Sequence, residues 1–302
     1  MIDGAERAFA DRLADAVARK RSQLVVGLDP RLDLLPMELR GEALLGRSAA
    51  AAAVVRFCKG IVDAVAPYVV AAKPQSAFFE ALGADGVRAF EEVSAHVRAV
   101  GLLTIADVKR ADIGSTARAY AEAYLAPRDA QPPLADAVTA SPFLGYDSVE
   151  PFLAACRRYG SGVFFLVRTS NPGAAEVQDL TLSDGRPLWQ YVAELVHEWA
   201  SPLVGEAGLS SVGAVVGATH PRAVSEARRL LPQSPLLLPG VGAQGATPAD
   251  VARAFTSGPA SALVTVSRSV IYAYRETELD WREAAAAEAH RLQQAVWAAS
   301  GW

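Results

Sequence analysis

Residues 102–116 read LLTIADVKRADIGST, an apolar run of strand type that then carries aspartate, lysine and aspartate within six positions. Side chains alternate between the two faces of a strand, so Asp107 and Lys109 are predicted to point the same way. Asp112 follows just beyond the predicted strand end, where a new helix begins. Charges at the end of a buried strand are costly unless they are paired or used. A surface salt-bridge cluster and a functional site are both open interpretations, and the rest of the chain decides between them.

The same arrangement of an apolar run followed by a helical pattern recurs along the whole chain. Besides the opening stretch, the predicted strands are 23–30, 68–74, 137–142, 162–168, 212–217, 236–240 and 262–267. The predicted helices are 5–20, 48–66, 84–100, 114–125, 148–159, 187–200, 221–231, 248–257 and 283–299. The strands are continuously apolar, which is typical of strands covered on both faces. Eight such units without a linker predict one α/β domain over residues 1–302, a (β/α)8 TIM barrel with an extra N-terminal helix and a C-terminal helix.

Polar side chains follow the predicted strands at the point where each strand ends. They are Asp29, Lys73, Asp107, Lys109, Ser141, Ser170, Gln244 and Arg268. In barrels of this type the chemistry takes place at the carboxyl ends of the strands. A core strand would not be expected to end in this way repeatedly by chance, so this end of the barrel is the predicted active site.

Composition excludes several classes of protein. The chain has 302 residues, of which 51% are hydrophobic, and its formal net charge is −4. Disorder and an extended nucleic-acid footprint are therefore not expected. Cys58 and Cys156 lack metal-type spacing, and the four histidines are scattered, so no zinc site is predicted. Residues 1–20 have no signal-peptide core, and no apolar run is long enough to span a bilayer, which predicts a cytoplasmic protein without membrane or nucleic-acid partners.

Lysine is unusually rare in this chain. Four lysines, Lys20, Lys59, Lys73 and Lys109, accompany 25 arginines. Lys73 and Lys109 both fall at predicted strand ends. A lysine can shift its pKa and donate a proton near neutral pH, whereas an arginine cannot. These two lysines are therefore candidate catalytic groups, although chance placement is the alternative.

A glycine-rich segment follows the seventh predicted strand and reads PGVGAQGATPAD over residues 239–250. Its glycines allow backbone N–H groups to come close to an anion. Thr247 suits the position that caps a helix, Pro248 the first helical position, and Asp250 completes the capping pattern. Arg268 can add a guanidinium from the next strand end. Barrel enzymes commonly hold phosphate at these two loops, so the sequence predicts a phosphate ester as ligand.

In this sequence, D-x-K-x-x-D-I-x-x-T over residues 107–116 resembles the signature of orotidine 5′-phosphate decarboxylases. Further matching segments are GLD at 27–29, Lys73, TSNPG at 169–173, PGVGAQG at 239–245 and SRS at 267–269. The resemblance runs over about residues 20–275 and is to the longer bacterial branch of the family. One departure is Arg110, where many members carry an aromatic residue. The resemblance implies decarboxylation of orotidine 5′-monophosphate to uridine 5′-monophosphate in de novo pyrimidine biosynthesis, with no metal and no cofactor.

The resemblance also implies roles for individual residues. Lys73, Asp107 and Lys109 would form an alternating charge array with Asp112, which comes from the neighbouring subunit of a homodimer. Lys109 would donate the proton to C6 of the pyrimidine. These four residues, Lys73, Asp107, Lys109 and Asp112, are the candidate catalytic group.

Substrate-binding residues are implied in the same way. Asp29 would bind the ribose hydroxyls, and Thr116 would reach the ribose across the dimer interface. Ser170 would bind the amide edge of the pyrimidine, Gln244 would bridge base and phosphate, and Arg268 would hold the phosphate. The full set of candidate substrate-binding residues is Asp29, Ile113, Thr116, Ser170, Gly242, Gln244 and Arg268.

The chemistry of such a reaction requires residues of these types. Removing CO2 from C6 leaves a vinyl carbanion with no cofactor to accept the electrons, so the site must supply a cation and a proton. The ammonium group of Lys109 can do both, and neighbouring carboxylates favour its charged form. One alternative is a Mg-dependent phosphosugar decarboxylase or synthase on the same barrel, but Lys73 at the second strand end would repel a metal ion. Another alternative is a non-catalytic barrel that binds a phosphate ligand, which would not need both lysines and both acids.

Overall fold

The computed structural model describes residues 7–128, 131–242 and 245–302. Parallel strands close into a barrel in chain order, which confirms the predicted (β/α)8 fold. The strands are β1 Leu24–Leu28, β2 Ala71–Pro74, β3 Leu103–Arg110, β4 Ala137–Ala140, β5 Gly162–Arg168, β6 Val212–Val216, β7 Leu236–Pro239 and β8 Ala262–Val266. The barrel closes because β1 pairs with β2 on one side and with β8 on the other.

Helices follow the strands and form the outer layer. The α-helices are α1 Phe9–Lys20, α2 Met37–Ala43, α3 Arg47–Val65, α4 Ser76–Glu80, α5 Gly83–Ala99, α6 Gly114–Leu125, α7 Tyr146–Tyr159, α8 Ala175–Gln178, α9 Leu188–Ala200, α10 Pro221–Leu230, α11 Arg268–Ile271 and α12 Trp281–Ser300. The 3-10 helices are Leu32–Leu34, Pro172–Ala174, Ser201–Leu203, Pro248–Phe255 and Ala273–Glu276. None of the helices in the described part of the chain combines the length and the apolarity needed to cross a bilayer.

The extra N-terminal helix closes the bottom of the barrel. Phe9 and Leu13 of α1 are fully buried, and the Phe9 ring meets Phe164 edge to face at a centroid distance of 5.9 Å. Gly162 at the start of β5 makes room for this ring, because a Cβ atom there would lie 2.4 Å from Phe9 Cδ1. Aromatic packing of this kind fills the interior from below. A ligand can therefore enter the barrel from the other end, at the carboxyl ends of the strands.

The C-terminal helix α12 packs against α3 on the outside of the barrel. Its Trp281 lies beside Phe57 at a ring distance of 5.3 Å and donates a hydrogen bond to Glu38 at 3.0 Å. Gly60 of α3 permits this contact, because a Cβ atom there would lie 2.3 Å from the Trp281 ring. The helix therefore covers an apolar face of α3 that would otherwise be exposed to solvent.

The structure differs from the sequence prediction in a few local features. The predicted helix 248–257 is a 3-10 helix, Pro248–Phe255. Of the predicted helix 5–20, residues 5 and 6 lie outside the described residues, residues 7 and 8 are not helical, and α1 begins at Phe9. The helices α2, α4, α8 and α11 were not predicted, because segments of four to seven residues are too short to show a helical period. These differences change element type or bounds locally and leave the barrel order unchanged.

Candidate active site

Three of the predicted catalytic residues come together at the ends of β2 and β3. Lys73 is 7% exposed and Asp107 is 5% exposed, and the Lys73 ammonium forms an ion pair with Oδ2 of Asp107. The ammonium of Lys109 pairs with the other oxygen, Oδ1. One buried carboxylate therefore bridges two lysines, as the family resemblance implies for these three members of the charge array.

The Asp107 carboxylate accepts two further hydrogen bonds. Gln75 Nε2 donates to Oδ2 at 3.0 Å, and the hydroxyl of Thr139 donates to Oδ1 at 3.0 Å. Burial by itself would raise the pKa of Asp107, but the charges of Lys73 and Lys109 and their hydrogen bonds lower this pKa well below its ordinary value. Burial also opposes the charging of Lys73, but the charges of Asp107 and Asp29 raise the pKa of Lys73 above its ordinary value. Asp107 and Lys73 are therefore both held in their ionised forms.

A cavity of about 470 Å³ lies beside this cluster at the carboxyl ends of the strands. The volume falls within the range of about 300–1,000 Å³ that is usual for small-molecule sites. Its polar lining includes Lys73, Asp107, Lys109 and Ser170, and its apolar lining includes Leu166, Val215 and Leu237. The geometry therefore places two cations, one anion and an apolar surface around one space.

Asp29, just after β1, accepts hydrogen bonds from one serine hydroxyl and one tyrosine hydroxyl, which come from a distant part of the sequence. Ser267 Oγ donates to Asp29 Oδ2 at 2.5 Å, and Tyr272 donates to the Asp29 carbonyl at 2.8 Å. Gly27 lets Ser267 approach, because a Cβ atom at Gly27 would lie 2.8 Å from Ser267 Cβ. Asp29 is also close enough to raise the pKa of Lys73. The carboxylate of Asp29 therefore lies next to the lysine–aspartate cluster.

The loop after β5 forms one wall of the cavity and carries Ser170. Arg168 is 5% exposed, and its guanidinium binds both carboxylate oxygens of Asp179 at 2.9 Å. Gln178 accepts a hydrogen bond from the Thr169 N–H at 2.8 Å. Bidentate pairs of this kind fix orientation as well as adding energy. Arg168 was not among the predicted site residues, and the available signal was an arginine at the end of an otherwise apolar strand.

Arg110, the departure from the family pattern, is the last residue of β3. Its guanidinium pairs with Glu80 and lies 5.5 Å from the centre of the Tyr120 ring. A cation over an aromatic face is attracted by the ring electrons. With arginine at this position, the ion pairs of Asp107 with Lys73 and Lys109 are still formed.

The predicted phosphate loop is only partly described. Gly242 has φ +82°, a conformation that favours glycine, and a Cβ atom there would lie 3.0 Å from Ser269 Oγ. The Thr247 N–H donates to Asp250 at 2.7 Å, so the predicted cap is present. Arg268 is exposed at the first residue of α11 and is not among the described residues that line the cavity. Gln244 lies outside the described residues.

Asp112, Ile113 and Thr116 do not line the cavity formed by the described residues of this chain. The Ile113 N–H donates to the Asp112 side chain at 2.8 Å, and Ile113 itself is 55% exposed. Thr116 is exposed on α6. Within one chain, the structure therefore brings together Lys73, Asp107, Lys109 and Ser170 around the cavity, with Asp29 beside them. Asp112 is half-buried outside this cavity, and Ile113 and Thr116 are exposed.

The chain is similar to a named family over most of its length. Residues 22–283 match the family model described as the orotidine 5′-phosphate decarboxylase / HUMPS family. Orotidine 5′-phosphate decarboxylase of Rhodopirellula baltica is 46% identical over 97% of this chain and 96% of its own length. The protein of the same name from Streptomyces coelicolor is 43% identical over 87% of this chain and 89% of its own length. The structure of Leishmania donovani OMP decarboxylase has a TM-score of 0.75 and 32% identity, and covers 98% of this chain and 99% of its own.

Proposed function

The chain belongs to the orotidine 5′-phosphate decarboxylase family, and we propose that Lys109 is the proton donor of its carboxy-lyase reaction, which needs neither metal nor cofactor. The reaction converts orotidine 5′-monophosphate to uridine 5′-monophosphate and CO2, within pyrimidine biosynthesis. The single observation that carries the proposal is the buried Asp107 carboxylate, which bridges the ammonium groups of Lys73 and Lys109 beside a cavity of about 470 Å³.

Loss of CO2 leaves an electron pair on C6 of the pyrimidine. The Lys109 ammonium supplies positive charge where this negative charge develops and then transfers a proton to C6. The ion pair with Asp107 holds the Lys109 ammonium at the edge of the cavity. Lys73 holds the second oxygen of Asp107 and so keeps the carboxylate turned toward Lys109. The Lys109 side chain is 44% exposed, so solvent can restore its proton after the product leaves.

The remaining substrate groups are assigned to residues around the cavity. Asp29 would bind the ribose hydroxyls, and Ser170 would bind the pyrimidine amide edge. Arg268 and Gly242 would hold the phosphate at the loops after β7 and β8, where barrel enzymes commonly bind phosphate, and Gln244 would bridge base and phosphate. Binding energy from a phosphate remote from C6 can then be used to order these loops and orient the ring.

A spectrophotometric assay tests the reaction and its independence of metal. The purified protein should convert orotidine 5′-monophosphate to uridine 5′-monophosphate at an unchanged rate in excess EDTA, because the cations at C6 are lysines. The readout is the fall in ultraviolet absorbance of the substrate, with product identified by chromatography. A folded protein that shows no turnover would contradict the proposed function, and a rate that EDTA abolishes and Mg2+ restores would contradict metal independence.

A Mg-dependent phosphosugar reaction is less well supported by this site. Both Asp107 oxygens already bind ammonium groups, whereas Mg2+ requires carboxylate or water oxygens around it. A barrel that only binds a phosphate ligand would not need a buried charge cluster that is costly to desolvate.

Location in the cytoplasm stays a prediction. We also propose that residues 1–302 form one domain, supported by the packing of α1 and α12 on the same barrel.

We further propose that the active form is a homodimer with shared sites. Asp112, Ile113 and Thr116 lie outside the cavity of their own chain, as expected for residues that complete a neighbour's site. Ile113 is 55% exposed, and Phe143 and Leu144, in the loop after the adjacent strand β4, are 78% and 47% exposed. Exposed apolar side chains that cluster on a surface are typical of an interface.

Mixing two inactive variants tests the shared site. Heterodimers of Lys109→Ala and Asp112→Ala chains would contain one intact site, so mixing should restore about a quarter of wild-type activity after random subunit exchange. The matched control mixes Lys109→Ala with Lys73→Ala, which should restore nothing because Lys73 and Lys109 act from the same chain. Failure of the first mixture, with subunit exchange verified by native mass spectrometry, would count against sharing.

A further inference from the structure

The hydroxyl group of Thr139 forms hydrogen bonds with two of the proposed catalytic residues, Asp107 and Lys109. Thr139 lies on β4, is 1% exposed and lines the cavity. Its oxygen accepts hydrogen bonds from the backbone N–H groups of Val108 and Lys109, both at 3.0 Å. The same hydroxyl donates to Oδ1 of Asp107 at 3.0 Å. A hydroxyl has one proton and two lone pairs, so these three bonds use its full capacity and fix the direction of its proton.

The Thr139 hydroxyl accepts two backbone hydrogen bonds that strand carbonyl groups would accept in a regular sheet. The residue register between β3 and β4 shifts between Ala106, which pairs with Val138, and Arg110, which pairs with Ala140. Between them, Lys109 has φ +44°, a left-handed conformation that is uncommon for a residue with a Cβ atom. The N–H groups in this irregular segment are bound by Thr139, where a regular parallel ladder would use strand carbonyls. A buried N–H without a partner is destabilising, so the hydroxyl favours this backbone conformation.

We propose that Thr139 is a positioning residue for the decarboxylation, an inference that rests on the proposed role of Lys109. By binding the Lys109 backbone and the Asp107 carboxylate with one atom, Thr139 fixes the place from which the ammonium reaches the substrate. It acts through these two residues and does not hold the ribose or the phosphate. Its loss should therefore lower the rate of the chemical step more than it lowers nucleotide affinity.

The variant Thr139→Val tests this separation, because valine keeps the branched shape and removes the hydroxyl. We expect kcat to fall by about 100-fold, as is usual when a reacting group is misplaced by about 1 Å, while the Kd of uridine 5′-monophosphate changes less than about threefold. Thr104→Val is the matched control. Thr104 is a fully buried residue of the neighbouring strand β3, and its hydroxyl has no hydrogen-bond partner among the described residues. This control should keep wild-type kcat.

A second pair of variants separates the hydroxyl from the methyl group. Thr139→Ser and Thr139→Ala both lose the methyl, but only serine keeps the hydroxyl. Serine should restore kcat to within about threefold of wild type, and alanine should resemble valine, because the alignment depends on the hydrogen bonds. Steady-state kinetics, titration with uridine 5′-monophosphate and thermal melting are measured for all variants.

Four results would overturn the inference. The first is a loss of kcat in Thr139→Val no larger than that in Thr104→Val, and the second is equal impairment of Thr139→Ser and Thr139→Ala. The third is a loss of nucleotide affinity in Thr139→Val that matches its loss of kcat. The fourth is unfolding of both Thr139→Val and Thr139→Ala, which would make the role of Thr139 purely structural. If the wild-type protein showed no turnover, both the proposed function and this inference would be contradicted. If the wild type were active and Thr139→Val were unimpaired, only this inference would be contradicted.

Discussion

Replacing Lys109 with alanine is expected to abolish decarboxylation while nucleotide binding survives. The proton donor and the positive charge at C6 are lost together, so kcat should fall on the order of 10⁵-fold, which combines typical losses for a general acid and for electrostatic stabilisation. The Kd of uridine 5′-monophosphate should change less than about tenfold, because the proposed ribose and phosphate contacts are remote from Lys109. Steady-state kinetics and calorimetric titration measure the two quantities.

Lys59→Ala is the matched control for this variant. Lys59 lies on α3 and pairs with Glu92 at 2.7 Å on the protein surface, away from the cavity. Its replacement should leave both kcat and nucleotide affinity unchanged. If Lys109→Ala kept most of the wild-type kcat, Lys109 could not be the proton donor, and the assignment would pass to another group at the cavity.

The largest expected effect on stability comes from Asp107→Asn. This change removes the only negative charge that contacts both Lys73 and Lys109 among the described residues, and leaves the Lys73 ammonium, 7% exposed, without its ion pair. Removing one partner of a buried pair typically costs about 3–5 kcal/mol, so the free energy of unfolding should fall by about that amount. Urea unfolding at neutral pH measures the change, and kcat should be lost as well, because the orientation of Lys109 depends on Asp107.

The effect of Asp107→Asn should depend on pH in one direction. The folded-state pKa of Asp107 is lowered, so its contribution to stability is complete above the ordinary aspartate pKa of about 4 and decreases as the pH falls toward the folded-state value. Asp33→Asn is the control, since Asp33 pairs with Arg31 on the surface. It should leave the unfolding midpoint unchanged. Equal effects of the two variants would show that the buried cluster does not contribute as described.

Much of the barrel could be predicted because buried parallel strands have a clear sequence pattern. The predicted strand 162–168 and helix 114–125 coincide with β5 and α6. The segment 248–257 was predicted as a helix without its type, because its cap, Thr247 with Asp250, is the same for α- and 3-10 helices. The short helices α2 and α4 could not be predicted, since tertiary contacts rather than periodicity stabilise segments of this length.

The sequence by itself determined the order of the strands and the residue types at their carboxyl ends, because apolar periodicity and the position of Lys73, Asp107 and Lys109 are local properties of the chain. Only the tertiary structure decided which groups fix that cluster. Thr139 binds Asp107 from 32 positions away, and Gln75 binds it from the same distance on the other side. The contacts of Thr139 accompany a shifted register between β3 and β4 and the left-handed conformation of Lys109. Both features arise where two strands distant in sequence pair irregularly, so they leave no periodic signal in the sequence.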